Sequence, residues 1–191
     1  MPPTDTTLAS ATYRRPELGD FAPYYDRYIS LVHTGDPASH TSNDILAILE
    51  EQRRQTLLLL CGRAEADGDF RYAPDKWTLK EVIGHLNDTE RVMSYRALRI
   101  SRADQTPLAG FEQDDYVRNG PFAHNTLPDL IEDYIAVRRA TISLFRNLDE
   151  AAWTRRGSAN NHEVTVRALA WIIAGHELHH KKIVEEKYLK S

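Results

Sequence analysis

The chain has 191 residues, which is enough for one domain with a substantial hydrophobic core. Its formal net charge of -4 excludes a strongly basic surface, so composition argues against a nucleic-acid or anionic-membrane partner. A single cysteine excludes an intramolecular disulfide. Since the sequence shows no signal peptide and no stretch of ~18 apolar residues, we expect a cytoplasmic protein.

Helical signals dominate the chain, and the alternating runs typical of strands are missing, which predicts an all-α protein. Residues 1–22 are expected to be extended, and the stretch PYYDRYISLV is expected to form a short helix that begins at its proline. After a loop over TGDPASHTSND, a first long helix is predicted, capped by Ser42 or Asn43 and ending near Gly68.

Three further long helices are predicted, each with one apolar stripe. They run from Thr78 to about Arg102, from Thr126 to about Leu148, and from about Thr165 to Tyr188. Four helices of this length predict a four-helix bundle over residues 42–191. Residues 1–41 then form an N-terminal arm that carries the extended segment and the short extra helix.

The stretch HELHH on the last helix contains two histidines that are suited to metal binding. His176 and His180 lie four residues apart on the predicted inward-facing seam, so their imidazoles are expected close enough to share an ion. Glu177 and His179 are each about 100° from that seam, so we expect neither on the inner line. The stretch also fits the H-E-x-x-H pattern of zinc proteases, but the residues downstream offer no third ligand of the protease type, which counts against that activity.

A third ligand is expected from the second long helix, where His85 flanks the predicted inner seam. Glu90 lies on the seam itself, and a carboxylate in a core needs a partner, for which Arg96, Arg138 or a ligating histidine are candidates. Glu90 is therefore either one half of a buried ion pair or a functional carboxylate.

The run WTLKEVIGHLNDTER from Trp77 and the run AGHELHH from Ala174 resemble the DinB/YfiT-like superfamily, and the resemblance extends from about residue 40 to the C-terminus. It implies a four-helix bundle with a three-histidine metal site, whose ligands fall on His85, His176 and His180. It also implies a homodimer. The superfamily shares its name with a DNA polymerase, but the resemblance implies no polymerase activity.

The resemblance implies a divalent metal ion, with zinc or nickel ahead of manganese, and a low-molecular-weight thiol as a further cofactor. We expect thiol-dependent S-transferase chemistry on a small electrophile. Metal-dependent hydrolysis is the alternative reaction, and a non-catalytic helical protein that binds a metal or ligand is the alternative of another class. The catalytic candidates are Glu90, Arg96 and Glu177, and the expected partner is a small-molecule substrate.

The remaining residues that invite a functional interpretation are assigned mainly to structure. Cys61 is expected to be a buried apolar-like side chain, and Trp77 and Trp153 are expected to pack. Four histidines in predicted loops are expected to be solvated: His33, His40, His124 and His162. The long connection over residues 103–125 is either a border of the substrate pocket or a packed connector.

Overall fold

The computed structural model describes residues 14–33 and 44–189. The predicted caps Ser42 and Asn43, His40, and residues 1–13 of the predicted extended segment lie outside the described residues. The helices are α1 (Asp26–Ile29), α2 (Ile45–Leu60), α3 (Glu65–Asp69), α4 (Leu79–Ser101), α5 (Gln113–Asn119), α6 (Leu127–Arg146), α7 (Glu150–Thr154) and α8 (Val166–Ile183). A 3₁₀ turn, Pro23–Tyr25, precedes α1, and a π-helical turn, Val184–Tyr188, extends α8.

The long helices α2, α4, α6 and α8 form a four-helix bundle, as predicted. Helices α2 and α4 each pack against both α6 and α8. Helices α2 and α4 therefore lie diagonally opposite each other in the bundle, although α4 is the next long helix after α2 in the chain. Capping boxes fix two of the helix starts, since Thr78 caps α4 with Glu81 and Thr126 caps α6 with Asp129. In the described part of the chain, no helix combines the length and apolarity needed to cross a bilayer.

The end predicted for the first long helix, near Gly68, is wrong. Helix α2 ends at Leu60, and Gly62 then adopts a φ of 81°, a left-handed conformation that ends helices at little steric cost. The chain re-enters a separate short helix, α3, before α4 begins. The helical pattern of the sequence therefore did not reveal that the predicted helix breaks at Gly62.

A small hairpin interrupts the otherwise helical architecture. Strands β1 (Arg156–Ala159) and β2 (His162–Thr165) pair antiparallel just before α8. Asn160 and Asn161 connect them at φ values of 51° and 62°, which match the left-handed two-residue turn that hairpins favour. The expectation that strands are missing is wrong here, because strands of four residues are too short to show a clear alternation.

A polar layer divides the hydrophobic core into two halves. One apolar half is built largely on α2, α8 and the C-terminal half of α4, and the other lies around the start of α4 and of α6. Between them, at mid-height of the bundle, lie the buried polar side chains Gln52, Thr56, His85, Thr89, Glu90, Arg138, Thr141, His176 and Glu177. Buried polar groups need partners, so this layer is where a function is to be sought.

Helix α8 is buried on every side over its first twelve residues, 166–177, rather than along one stripe as predicted. The reason is α1, which packs against the face of α8 that the bundle leaves open. Gly175 permits this approach, because a Cβ atom there would lie 2.1 Å from the backbone oxygen of Tyr28. The N-terminal arm is thus seated directly beside the HELHH stretch.

Candidate metal centre

Three histidines from two helices meet in the polar layer. His85 projects from α4, and His176 and His180 project from successive turns of α8. Each of the three has a ring nitrogen within 4.8 Å of the corresponding atoms of the other two, and the Nε2 atoms of His85 and His176 are 3.1 Å apart. The structure therefore brings together the three residues that the sequence proposes as metal ligands.

Burial keeps these imidazoles neutral. His85 and His176 are 2% and 7% exposed, whereas His180 is partly exposed. Burial lowers the pKa of His85 to about 4, with a smaller contribution from the charge of His179. Burial and the neighbouring His85 lower the pKa of His180 to about 3, and the pKa of His176 is lowered in the same direction. Neutral imidazoles have the free nitrogen lone pair that a metal ion requires.

The separation of His85 and His176 would suit two ligands of one ion. An ion with Zn–N distances of about 2.0–2.1 Å holds its ligand nitrogens about 3.3–3.4 Å apart, close to the separation of His85 from His176. Thr89 Oγ1 lies 3.5 Å from His85 Nδ1, on the side of the ring that faces away from His176. A proton on Nδ1 directed at this hydroxyl leaves His85 Nε2 free as a ligand.

Two aromatic residues flank the cluster. The ring centroid of Tyr28 on α1 is 5.3 Å from that of His176, and the Trp77 centroid lies 4.8 Å from His85. Trp77 also stacks near His180, at 6.5 Å. The prediction that Trp77 serves in packing did not include its position beside the metal-binding candidates. Its place immediately before the cap of α4, two turns ahead of His85, was the available signal.

The carboxylates Glu90 and Glu177 are bound to one guanidinium beneath the cluster. Arg138 Nη2 lies 2.7 Å from Glu90 Oε2 and 2.6 Å from Glu177 Oε2. Glu177 Oε1 also accepts hydrogen bonds from the hydroxyls of Thr56, at 2.6 Å, and Tyr134, at 2.5 Å. Arg138 is thus the partner of Glu90. The expectation that Glu177 lies off the inner line is wrong, because its carboxylate contacts Thr56, Tyr134 and Arg138 inside the bundle.

Two cavities, each of about 290 Å³, adjoin the histidines from different sides. The first, which we call the arm cavity, is bounded by the arm, α4 and the start of α5, and it is lined by His85, His176 and Arg96. The second is lined by His180 and Trp77. Residues of the connection 103–125 line both, so this segment does border a pocket. Glu90 and Glu177 line neither, and they share with His176 a space of only about 10 Å³.

The other residues singled out by the sequence lie away from the cluster. Cys61 is exposed rather than buried, and it is the extended residue that caps the C-terminus of α2. Trp153 is fully buried and stacks on Phe145, as predicted. The described loop histidines His33, His124 and His162 are exposed.

The metal-free protein is expected to lose stability as the pH falls from about 6.5 towards 4. The folded-state pKa values of His85 and His180, about 4 and about 3, are below the ordinary value of 6.5. In this window the unfolded chain binds protons that the folded chain excludes, so each buried histidine removes up to about 1.4 kcal/mol of unfolding free energy per pH unit. Urea unfolding in chelator at about pH 7, 6 and 5 measures the slope.

Two variants test whether the buried histidines cause this pH dependence of stability. Replacing His85 with Gln removes one titrating group and should flatten the slope, whereas His124→Gln, at an exposed position, should leave it unchanged. A parent unfolding free energy that is constant across this range would show that the histidines are not held neutral by the fold.

Comparisons with known proteins agree with this architecture. The sequence profile of the DinB superfamily matches residues 48–184. The solved structure of YfiT from Bacillus subtilis, described as a probable metal-dependent hydrolase with an unusual four-helix bundle topology, matches with a TM-score of 0.66. At 13% identity, the match covers 84% of this chain and 97% of YfiT. Among curated proteins, none matches the chain significantly. The profile match spans most of the bundle and both parts of the histidine cluster, and the chain belongs to the DinB superfamily.

Proposed function

We propose that this protein is a metal-dependent enzyme that acts on a small molecule, and that His85, His176 and His180 hold one divalent ion. The observation that carries the proposal is the meeting of three neutral imidazoles, two of which, His85 and His176, line a cavity of about 290 Å³. Three nitrogen ligands suit zinc or nickel better than manganese, which prefers oxygen. When bound, such an ion is a Lewis acid that lowers the pKa of a water or thiol nucleophile.

The residues around the cluster have separable roles in this proposal. Burial keeps the three histidines neutral, and Thr89 fixes the ring of His85. Tyr28 and Trp77 pack their rings against His176 and His85 and so help to hold these imidazoles in place. The ion pairs of Arg138 keep two carboxylates in place beneath His176 without leaving either one free in the arm cavity.

Hydrolysis is the reaction class that we favour, and the description of YfiT as a probable metal-dependent hydrolase supports it. Transfer of a small thiol is the second candidate. Two observations favour it: neither Glu90 nor Glu177 is free to act as a general base, and a second cavity beside His180 leaves room for a second reactant. The catalytic roles assigned to Glu90, Arg96 and Glu177 stay predictions, as does the homodimer.

The metal site is tested by the metal content of untagged protein. We expect about one equivalent of zinc or nickel in the parent and in the control His124→Ala, and none in His85→Ala. Chelator should lower the melting temperature of the parent by about 10 °C but leave that of His85→Ala unchanged. If parent and variant are both metal-free and indifferent to added metal, the proposal of a metal-dependent enzyme is wrong.

The nucleophile is tested with the metal-loaded parent. Release of nitrophenol from nitrophenyl esters without added thiol identifies hydrolysis. Loss of free 2-mercaptoethanol that matches thioether formation from chlorodinitrobenzene identifies thiol transfer. Activity of either kind should disappear in His85→Ala, and activity that persists there would place the reaction elsewhere.

A further inference from the structure

Arg96 places a buried positive charge at the far end of the arm cavity. Its side chain is 3% exposed, and its Nη2 donates to the carbonyl oxygen of Ala109 at 2.7 Å. Its Nη1 lies 3.6 Å from the sulfur of Met93, and the neutral Tyr25 side chain also interacts with the guanidinium. Among residues 14–33 and 44–189, no carboxylate lies within ion-pair distance of this guanidinium, in contrast to buried Arg138 with its two carboxylates. A buried charge of this kind is costly unless an anion accompanies it.

The arm cavity connects this charge to the histidine cluster. His85, Thr89, Met93 and Arg96 follow one face of α4, and all four line the cavity. With a rise of 1.5 Å per residue, the backbone positions of His85 and Arg96 are roughly 16 Å apart along the helix. A ligand that reaches both ends is therefore elongated.

Aromatic side chains line the arm cavity near Arg96. Phe111 presents its ring 5.8 Å from the Arg96 guanidinium carbon, and Tyr25 on the arm also lines the cavity. Burial and the hydroxyl of Tyr24 raise the pKa of Tyr25 although the neighbouring Arg96 lowers it, so Tyr25 presents a neutral hydroxyl beside the guanidinium. Two carboxylates, Glu112 and Asp114, also line the cavity, but both are exposed and therefore screened by solvent.

We propose that the arm cavity binds an elongated substrate with a terminal carboxylate, which is held by Arg96 and the Tyr25 hydroxyl while an apolar body lies along Phe111 and Met93. A planar guanidinium matches a carboxylate with two parallel hydrogen bonds. The reacting group would lie at the histidine cluster, and that part alone rests on the proposed function. The carboxylate subsite itself requires no metal.

The test uses 4-phenylbutyrate as the probe and its amide, 4-phenylbutyramide, as the neutral counterpart. Binding is measured by titration calorimetry with metal-free protein in chelator, so that the acid cannot bind through an ion. The acid should bind the parent about 10- to 100-fold more tightly than the amide, and Arg96→Met should remove that difference. Arg96→Lys should keep part of the difference in affinity between acid and amide, because lysine has the positive charge but lacks the planar guanidinium group.

The matched control is Arg99→Met, on the same helix, whose guanidinium pairs with Asp104 and does not line the cavity. Arg99→Met should bind 4-phenylbutyrate with the same affinity as the parent. If Arg96→Met does not fold, Tyr25→Phe is used instead, and it should reduce the difference in affinity between the acid and the amide. Equal binding of acid and amide by the parent, no binding of the acid, or parent-like preference in Arg96→Met would each overturn the proposal. Because no metal is present, these results are independent of whether the metal site exists.

Discussion

Replacement of Arg138 with Met is expected to lower the free energy of unfolding by about 3–5 kcal/mol. Arg138 is 1% exposed and is the cation between Glu90 and Glu177, while its Nη1 donates to the carbonyl oxygen of Leu49. Burial alone would lower the pKa of Arg138, but the two carboxylates raise it well above its ordinary value. Methionine has a similar volume, so the loss comes from two buried carboxylates left without a counter-charge. Urea unfolding followed by circular dichroism measures the change.

Two controls separate charge from packing. Arg54→Met breaks an exposed pair with Glu51 and should change the unfolding free energy by less than about 1 kcal/mol. Adding Glu90→Gln and Glu177→Gln to Arg138→Met removes the stranded charges and should recover much of the loss. A parent-like stability of Arg138→Met would show that the buried ion pairs contribute nothing to the fold.

Replacement of Gly175 with Ala is expected to destabilise the protein by about 1–3 kcal/mol, although the same change in an unobstructed helix stabilises it by about 1 kcal/mol. The added Cβ would lie 2.1 Å from the Tyr28 oxygen and 2.4 Å from its carbonyl carbon. These are backbone atoms, so no side-chain rotation relieves the overlap and α1 must move away from α8. Urea unfolding measures the loss, and hydrogen exchange should be faster in residues 26–29.

Gly68→Ala is the matched control for the loss of stability expected in Gly175→Ala. Its Cβ would approach only the side-chain carbons of Lys80, at 3.0 and 3.1 Å, and a flexible side chain can adjust. Its unfolding free energy should change by less than about 1 kcal/mol. If Gly175→Ala stabilises the protein, α1 is not held in the close contact described.

Local spacing was sufficient to predict much of the bundle. The capping boxes at Thr78 and Thr126 depend on residues three positions apart, so the starts of α4 and α6 could be read directly. The separation of His176 and His180 by four residues likewise places both on one helix face. The choice of His85 as their partner needed more than spacing and came from the family resemblance together with its place beside an apolar seam.

The features that could not be predicted depend on contacts between distant parts of the chain. Glu177 was expected off the single inner line of α8, but its carboxylate contacts Thr56 on α2 and Arg138 on α6, so the bundle interior meets α8 on that side as well. Sequence periodicity reports burial only where a helix has one wet side. The aromatic wall that Tyr25 and Tyr28 supply to the arm cavity was missed for the same reason.

The seating of α1 on α8 has a consequence for biosynthesis. A ribosome releases Tyr28 long before it makes Gly175 and His176, so α1 emerges without the helix that it packs against. Until α8 is made, His85 is the one member of the histidine cluster in the nascent chain, which cannot yet hold an ion through three imidazoles. The wall of the arm cavity and the histidine cluster are therefore completed together, when α8 is synthesised.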